Sequence, residues 1–142
     1  MSPCAARDAR ATLAAHAAAS VDLALASHAA AFLPRLAGAV DVVAFNPPYV
    51  PTPEEEVGAP GVAAAWAGGD RGRRVLDAAL PLLVQLLAPD GELFIVTVHE
   101  NGPDEVLALM AALGAPGARA LERTADEERL TILRGVKERT RG

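Results

Sequence analysis

Four consecutive residues, Asn46-Pro47-Pro48-Tyr49, have the side chains and backbone needed to bind a planar NH2 group. The lone pair of an amide or aromatic-amine nitrogen is delocalised, so the nitrogen attacks poorly unless acceptors hold its N–H groups and orient it. The Asn46 side-chain carbonyl is one acceptor, and a backbone carbonyl from the prolines is the second. Neither proline has a competing N–H, both have a fixed φ, and Tyr49 offers a flat face for stacking. This diproline corner (Asn46–Tyr49) is typical of methyl transfer to nitrogen.

The diproline corner directly follows Val40–Phe45, an apolar and largely β-branched run. Such a run predicts a strand of a parallel sheet that is covered on both faces. In open α/β sheets, ligands bind just beyond the carboxyl ends of parallel strands, which is where the corner falls. The alternative is that Asn-Pro-Pro only ends the strand and that Tyr49 is a half-buried aromatic. The apolar strand before the corner and the tyrosine within it favour the functional interpretation.

The remaining pattern predicts one α/β domain over residues 1–142, without an internal repeat. Helical segments are expected at 5–19, 28–36, 73–87 and 103–113, and strands at 21–26, 40–45, 92–98, 118–123 and 129–136. Between them, residues 50–72 form a long loop with one helical turn near 63–66, and Pro89-Asp90-Gly91 is a turn. The acidic turn Asp126-Glu127-Glu128 joins the last two strands. The predicted sheet is therefore mostly parallel, with a C-terminal antiparallel hairpin.

Composition narrows the class of protein. The net charge of −5 disfavours a nucleic-acid surface, which usually needs a basic face. Cys4 is the only cysteine, and His16 and His28 lie in no ligand-spaced pattern, so no disulfide and no metal site are expected. No signal peptide and no membrane-spanning run are predicted. We expect a soluble protein of the cytoplasm, with the nucleus as an additional location.

Beyond the corner, further segments resemble the eukaryotic and archaeal branch of the HemK-like glutamine methyltransferases, a group of class I enzymes with a Rossmann-like fold. The resemblance runs from about Leu33 to Lys137. Its closest matches are Phe45–Val50, Thr52-Pro53, Glu56–Gly58, Ala64–Gly69 and Gly72-Arg73. Asn-Pro-Pro-Tyr alone is shared with DNA adenine methyltransferases, whereas Ala-Trp-Ala-Gly-Gly gives the narrower assignment.

The resemblance implies S-adenosylmethionine as cofactor and, as substrate, the glutamine of a Gly-Gly-Gln motif in a translation release factor. Asn46 and the Pro47 carbonyl would hold the glutamine amide, Pro48 would keep the corner rigid, and Tyr49 would shape the pocket. Trp66 and its loop would help to close the site; the alternative is a surface loop anchored by one aromatic. The family also works with a small zinc-binding activator protein.

The chain departs from the family pattern at the cofactor. The strand with the glycine-rich loop and the strand ending in an acidic residue for the ribose have no counterpart, so the chain resembles the C-terminal part of the domain without its first two strands. Ser27-His28 stand where an acidic residue near the adenine is expected. Ser27, His28 and Asn46 are the predicted cofactor-binding residues, and we expect this chain alone to bind S-adenosylmethionine weakly or not at all.

Two other functions stay open. One is methylation of the adenine amino group in nucleic acid, and the other is an inactive, truncated chain that acts only by binding. For three further polar segments a structural interpretation is favoured. His99–Asn101 is interpreted as a polar strand end, with acid–base work as the alternative, and Glu54–Glu56 as a solvated loop, with attraction of a basic protein substrate as the alternative. The arginines at 71, 73 and 74 are interpreted as a solvated face, with contact to a partner or a loop carboxylate as the alternative.

Overall fold

The fold comes from a computed structural model, which describes residues 3–18, 20–26, 28–125 and 128–139. Its helices are α1 (Pro3–Ala15), α2 (Leu33–Leu36), α3 (Arg74–Leu86) and α4 (Pro103–Ala112), and its strands are β1 (Val40–Phe45), β2 (Leu87–Val98), β3 (Gly117–Ala125) and β4 (Glu128–Val136). Short 3-10 turns lie at Ala29–Phe32, Glu54–Glu56, Val62–Ala65, Asp70–Gly72 and His99–Asn101.

The four strands form one sheet in the order β1-β2-β4-β3. β1 and β2 are parallel, whereas β2 with β4 and β3 with β4 are antiparallel. The predicted α/β architecture and C-terminal hairpin are therefore confirmed. The described sheet is mixed rather than mostly parallel, because only one of its three pairs is parallel.

One face of the sheet carries the core. The apolar face of α3 (Leu76, Leu80) and that of α4 (Val106, Met110) are fully buried in one cluster with Leu93 and Ile95 of β2 and Leu133 of β4. The three- and four-residue spacing of apolar residues in α3 explains how the helix presents one continuous apolar stripe to the sheet. The parallel pairing of β1 with β2, which extends to Phe45 and Ile95, places the carboxyl ends of the two strands at the same edge of the sheet.

The opposite face is more open than predicted. Val42 of β1 is 57% exposed, and Phe94 and Val96 of β2 are half-buried. Because β1 is an edge strand in the described sheet, one side of it has no neighbouring strand there. The expectation of a sheet covered on both faces is wrong for the described residues.

Two local predictions are also wrong. Residues 21–26 form no strand, and Val21, Leu23 and Leu25 are exposed. The segment 89–91 is not a turn between elements but an irregular part of β2: Asp90 has φ 65, and β2 advances from Leu87 to Glu92 while β1 advances only from Val40 to Val42. Pairing continues on both sides of this bulge, so the strand is not interrupted.

Among the described residues, no helix is long and apolar enough to cross a membrane. The same residues contain no group of three or more His, Cys, Asp or Glu side chains that could hold a metal ion.

Candidate active site

The diproline corner lies at the carboxyl end of β1, as predicted, and its first residue faces solvent. Asn46 is exposed, Pro47 is buried, and Pro48 and Tyr49 are half-buried. Within the described part of the chain, neither the Asn46 side chain nor the Pro47 carbonyl has a hydrogen-bond partner. Asn46 therefore does not point into the core, and neither predicted acceptor is used by a hydrogen bond within the described residues.

The loop containing Trp66 supports the diproline corner through backbone hydrogen bonds to the residues that follow it. The Val50 N–H donates to the Trp66 carbonyl (3.0 Å), and the Gly68 N–H donates to the Val50 carbonyl (2.8 Å), which makes a short parallel bridge between Val50 and Ala67. The Thr52 N–H donates to the Gly69 carbonyl (3.1 Å), extending the contact. The Ala-Trp-Ala-Gly-Gly segment is thus a backbone support for the residues that follow the corner.

Two glycines allow the backbone of this loop to lie in direct contact with the backbone of the diproline corner. A Cβ on Gly68 would lie 2.6 Å from the Pro48 carbonyl oxygen, and a Cβ on Gly72 would lie 1.8 Å from the Tyr49 carbonyl oxygen. Gly72 also has φ +67, a conformation that side chains disfavour. Only glycine fits at these two positions, so the backbone of the corner is packed directly against the backbone of the loop.

Asn101, just beyond the end of β2, ties the corner to the neighbouring strand. Its side chain is fully buried. Its Oδ1 accepts from the Val98 N–H (2.8 Å), and its Nδ2 donates to the Tyr49 carbonyl (2.9 Å) and to the Arg71 carbonyl (2.8 Å). Since Arg71 has φ 53, unusual for a residue with a side chain, the bond to its carbonyl helps to hold a strained turn.

Hydrogen bonds of charged side chains also hold the turn that contains Arg71. The Arg71 guanidinium donates to both carboxylate oxygens of Glu105 in α4 (3.0 and 2.7 Å), and these bonds lower the pKa of Glu105 below its ordinary value. Arg73, whose side chain is only 13% exposed, donates to the Asn101 carbonyl (3.0 Å) and to Asp77. The favoured interpretation of Arg71 and Arg73 as a solvated face is wrong, because Arg71 binds a carboxylate and Arg73 binds a carboxylate and the Asn101 carbonyl, and these contacts hold the turn next to the corner.

The other predicted site residues are less closely joined to the corner. Trp66 is 45% exposed and contributes its backbone carbonyl to the support described above. His28 is exposed and, among the described residues, makes no hydrogen bond or ion pair with the corner. Ser27 lies outside the described residues. A cavity of about 510 Å³ lies between α1 and residues 17–23, and none of its lining residues belongs to the corner.

Sequence reasoning missed the structural role of Asn101, Arg73 and Glu105. A signal was present for Asn101, because it lies three residues beyond the end of β2 and the ends of parallel neighbours meet at one edge of a sheet. No local signal existed for Glu105, whose partners lie more than thirty residues away in the sequence.

Known methyltransferases are among the proteins that this chain is similar to. Mouse methyltransferase HEMK2 is 53% identical over 105 residues, which are 74% of this chain and 49% of the mouse protein. The Schizosaccharomyces pombe eRF1 methyltransferase catalytic subunit mtq2 is 39% identical over 102 residues, 70% of this chain and 44% of that protein. No family model matches the chain.

A solved structure also has a fold similar to that of this chain. The E. cuniculi Mtq2–Trm112 complex, responsible for the methylation of the eRF1 translation termination factor, matches with a TM-score of 0.57 and 30% identity over 70% of this chain and 53% of that chain. The fold therefore matches that of a methyltransferase of the α/β class. Over the matched residues, the chain belongs to the HemK-like methyltransferases, which confirms the predicted resemblance. The chain spans about half the length of the curated relatives it matches.

Proposed function

We propose that the protein methylates the side-chain amide nitrogen of a glutamine, within a Gly-Gly-Gln motif of a translation release factor. The observation that carries the proposal is the pair of unpartnered acceptors, the Asn46 side-chain carbonyl and the Pro47 backbone carbonyl, at the rim of the sheet. The names of the yeast and E. cuniculi relatives, which act on eRF1, support a release factor as the substrate.

The mechanism follows from what these two acceptors do to an amide. A primary amide has two N–H groups that lie in one plane. Two acceptors that bind both N–H groups fix the orientation of this plane, and therefore the side of the nitrogen that is presented to the methyl donor. Both acceptors are in place before the substrate arrives, so little ordering is required during the reaction. Tyr49 is half-buried beside them and offers a flat surface to the planar group. S-adenosylmethionine, when bound, would supply the methyl carbon: its carbon–sulfur bond would break as the nitrogen–carbon bond forms, the sulfur would leave as a neutral thioether, and one amide proton would be lost to solvent.

The cofactor contacts are only partly represented in the described residues. Of the three predicted cofactor-binding residues, Asn46 is at the corner, His28 is exposed without a hydrogen bond to it, and Ser27 lies outside the described residues. These residues fit a cofactor that contacts Asn46 at the corner. They do not define a separate adenine or ribose site.

We also propose that the protein works with a small activator subunit in the cytoplasm. The support is that the E. cuniculi relative is a complex with Trm112, and that the sequence resembles a family with such a partner. The zinc-binding character of that subunit is a proposal from the resemblance.

The test offers the chain three substrates and radiolabelled S-adenosylmethionine at high concentration, since weak cofactor binding is expected. The substrates are a release-factor fragment with Gly-Gly-Gln, the same fragment with Gly-Gly-Glu, and duplex DNA containing adenine. Label only in the glutamine fragment supports the proposal. Label in DNA would replace it with adenine methylation. Absence of label, together with retained binding of the glutamine fragment, would indicate a chain that acts only by binding.

A further inference from the structure

Asn101 occupies a position between the two strands whose ends build the proposed site. All three hydrogen bonds of its side chain go to backbone atoms: one to Val98 at the end of β2, one to Tyr49 in the corner and one to Arg71 in the supporting turn. The side chain is fully buried and uses one acceptor and both donors. All of its side-chain hydrogen-bonding groups therefore bind backbone atoms, and none is free to take part in a reaction.

The bond to the Tyr49 carbonyl constrains the rest of the corner. Between Tyr49 and the Pro47 carbonyl lies only Pro48, whose φ is fixed by its ring. The Pro48 carbonyl packs against Gly68, and the Tyr49 carbonyl packs against Gly72 and Asn101. Because these two carbonyls are immobilised and only the rigid Pro48 separates them from the Pro47 carbonyl, the direction of the Pro47 carbonyl is also fixed.

We propose that Asn101 is a positioning residue that aims the Pro47 carbonyl, through Tyr49 and Pro48, at the substrate amide. The inference rests on the proposed function for its consequence in catalysis, but the positioning itself is a property of the folded chain. Asn101 touches neither substrate nor cofactor in this account. Its contribution is to couple the end of β2 to the acceptor at the end of β1.

The chain offers a direct spectroscopic test, because Tyr49 is its only tyrosine. Tyrosine labelled with 13C at the carbonyl places a single NMR reporter on the atom that accepts from Asn101. In Asn101→Asp, the carboxylate keeps the acceptor for Val98 but loses both donors, so the Tyr49 carbonyl signal should shift. The control is Thr97→Val, which removes another fully buried hydrogen bond of β2, from Thr97 to the Thr131 carbonyl (3.1 Å).

A positioning role predicts that Asn101→Asp moves the Tyr49 signal and that Thr97→Val leaves it in place. It also predicts a methylation rate at saturating glutamine fragment about 10²-fold lower for Asn101→Asp, the size of effect that a small misplacement can produce, with KM much less affected. Thr97→Val should keep the rate. Equal shifts, or equal rate losses, in the two variants would show that Asn101 serves only stability and would overturn the proposal.

A measurement on the unsubstituted chain covers the case in which Asn101→Asp does not fold. Asn46 and Asn101 are the only asparagines, so their side-chain NH2 signals are readily assigned. The Asn101 NH2 protons should exchange with solvent far more slowly than those of exposed Asn46. Similar exchange rates would refute the buried hydrogen bonds of Asn101. If these hydrogen bonds are present but the unsubstituted chain methylates nothing, the proposed function fails while the structural coupling stands.

Discussion

The close approach of Gly72 to the corner allows a quantitative test of the support behind the site. In Gly72→Ala, the new Cβ would lie 1.8 Å from the Tyr49 carbonyl oxygen and 2.5 Å from the Asn101 Nδ2. The backbone must shift, which separates this carbonyl from its buried donor. A left-handed alanine costs about 1–2 kcal/mol, and a buried polar group left unpaired costs about 1–3 kcal/mol. We expect the free energy of unfolding to fall by about 2–5 kcal/mol in total.

Gly58→Ala is the matched control, because Gly58 has φ +71 and no atom within 4 Å of the new Cβ. It should show only the conformational cost of about 1–2 kcal/mol. Urea unfolding should be followed by far-ultraviolet circular dichroism for the whole fold and by fluorescence of Trp66, the only tryptophan, for the loop. Equal destabilisation by the two substitutions, within about 0.5 kcal/mol, would refute the argument that the corner is packed against Gly72.

Three further predictions concern the fold. Leu80→Ala in α3 should lower the free energy of unfolding by about 2–5 kcal/mol, because Leu80 is fully buried, whereas exposed Leu121→Ala should change it little; urea titration of both variants decides. Hydrogen bonds from Arg134 lower the pKa of Glu92, so the stability this ion pair provides is present above the unfolded pKa and lost as pH falls through the lower folded value. In Arg134→Gln, the urea midpoint should fall less steeply between about pH 7 and about pH 3 than it does in the unsubstituted chain. The same pH dependence in both chains would contradict this prediction. We expect the exposed edge strand β1 to promote self-association, and Val42→Lys should reduce it in sedimentation experiments without loss of stability; equal association of the two chains would contradict this expectation.

Local patterns were sufficient for the elements that carry the site. The apolar run predicts β1, the amphipathic spacing predicts α3, and the two C-terminal segments predict the hairpin of β3 and β4, all of which the structure contains. The predicted turn residues Asp126 and Glu127 lie outside the described residues. The position of Asn46 at a strand end also follows from the sequence, because the prolines stop the strand.

What the sequence did not show depends on partners distant in the chain. Residues 21–26 have a strand-like alternation, but a strand needs a hydrogen-bonded neighbour, and the described residues provide none there. The segment 89–91 has the composition of a turn, yet it stays within β2 because the Asp90 N–H donates to the Lys137 carbonyl (3.0 Å) and the Lys137 N–H donates to the Gly91 carbonyl (2.8 Å). Asn101 was interpreted as a polar strand end because its buried partners, Tyr49 and Arg71, come from other parts of the sequence.

Substitution of Asn46 tests the central claim most directly, because this side chain is exposed and has no partner among the described residues. Asn46→Ala should leave the urea midpoint unchanged and lower methylation of the Gly-Gly-Gln fragment by about 10²–10³-fold, the usual effect of removing one preorganised group that orients a reacting amide. Methylation at the original rate by Asn46→Ala would contradict the claim. So would a loss of rate that only accompanies a loss of folding.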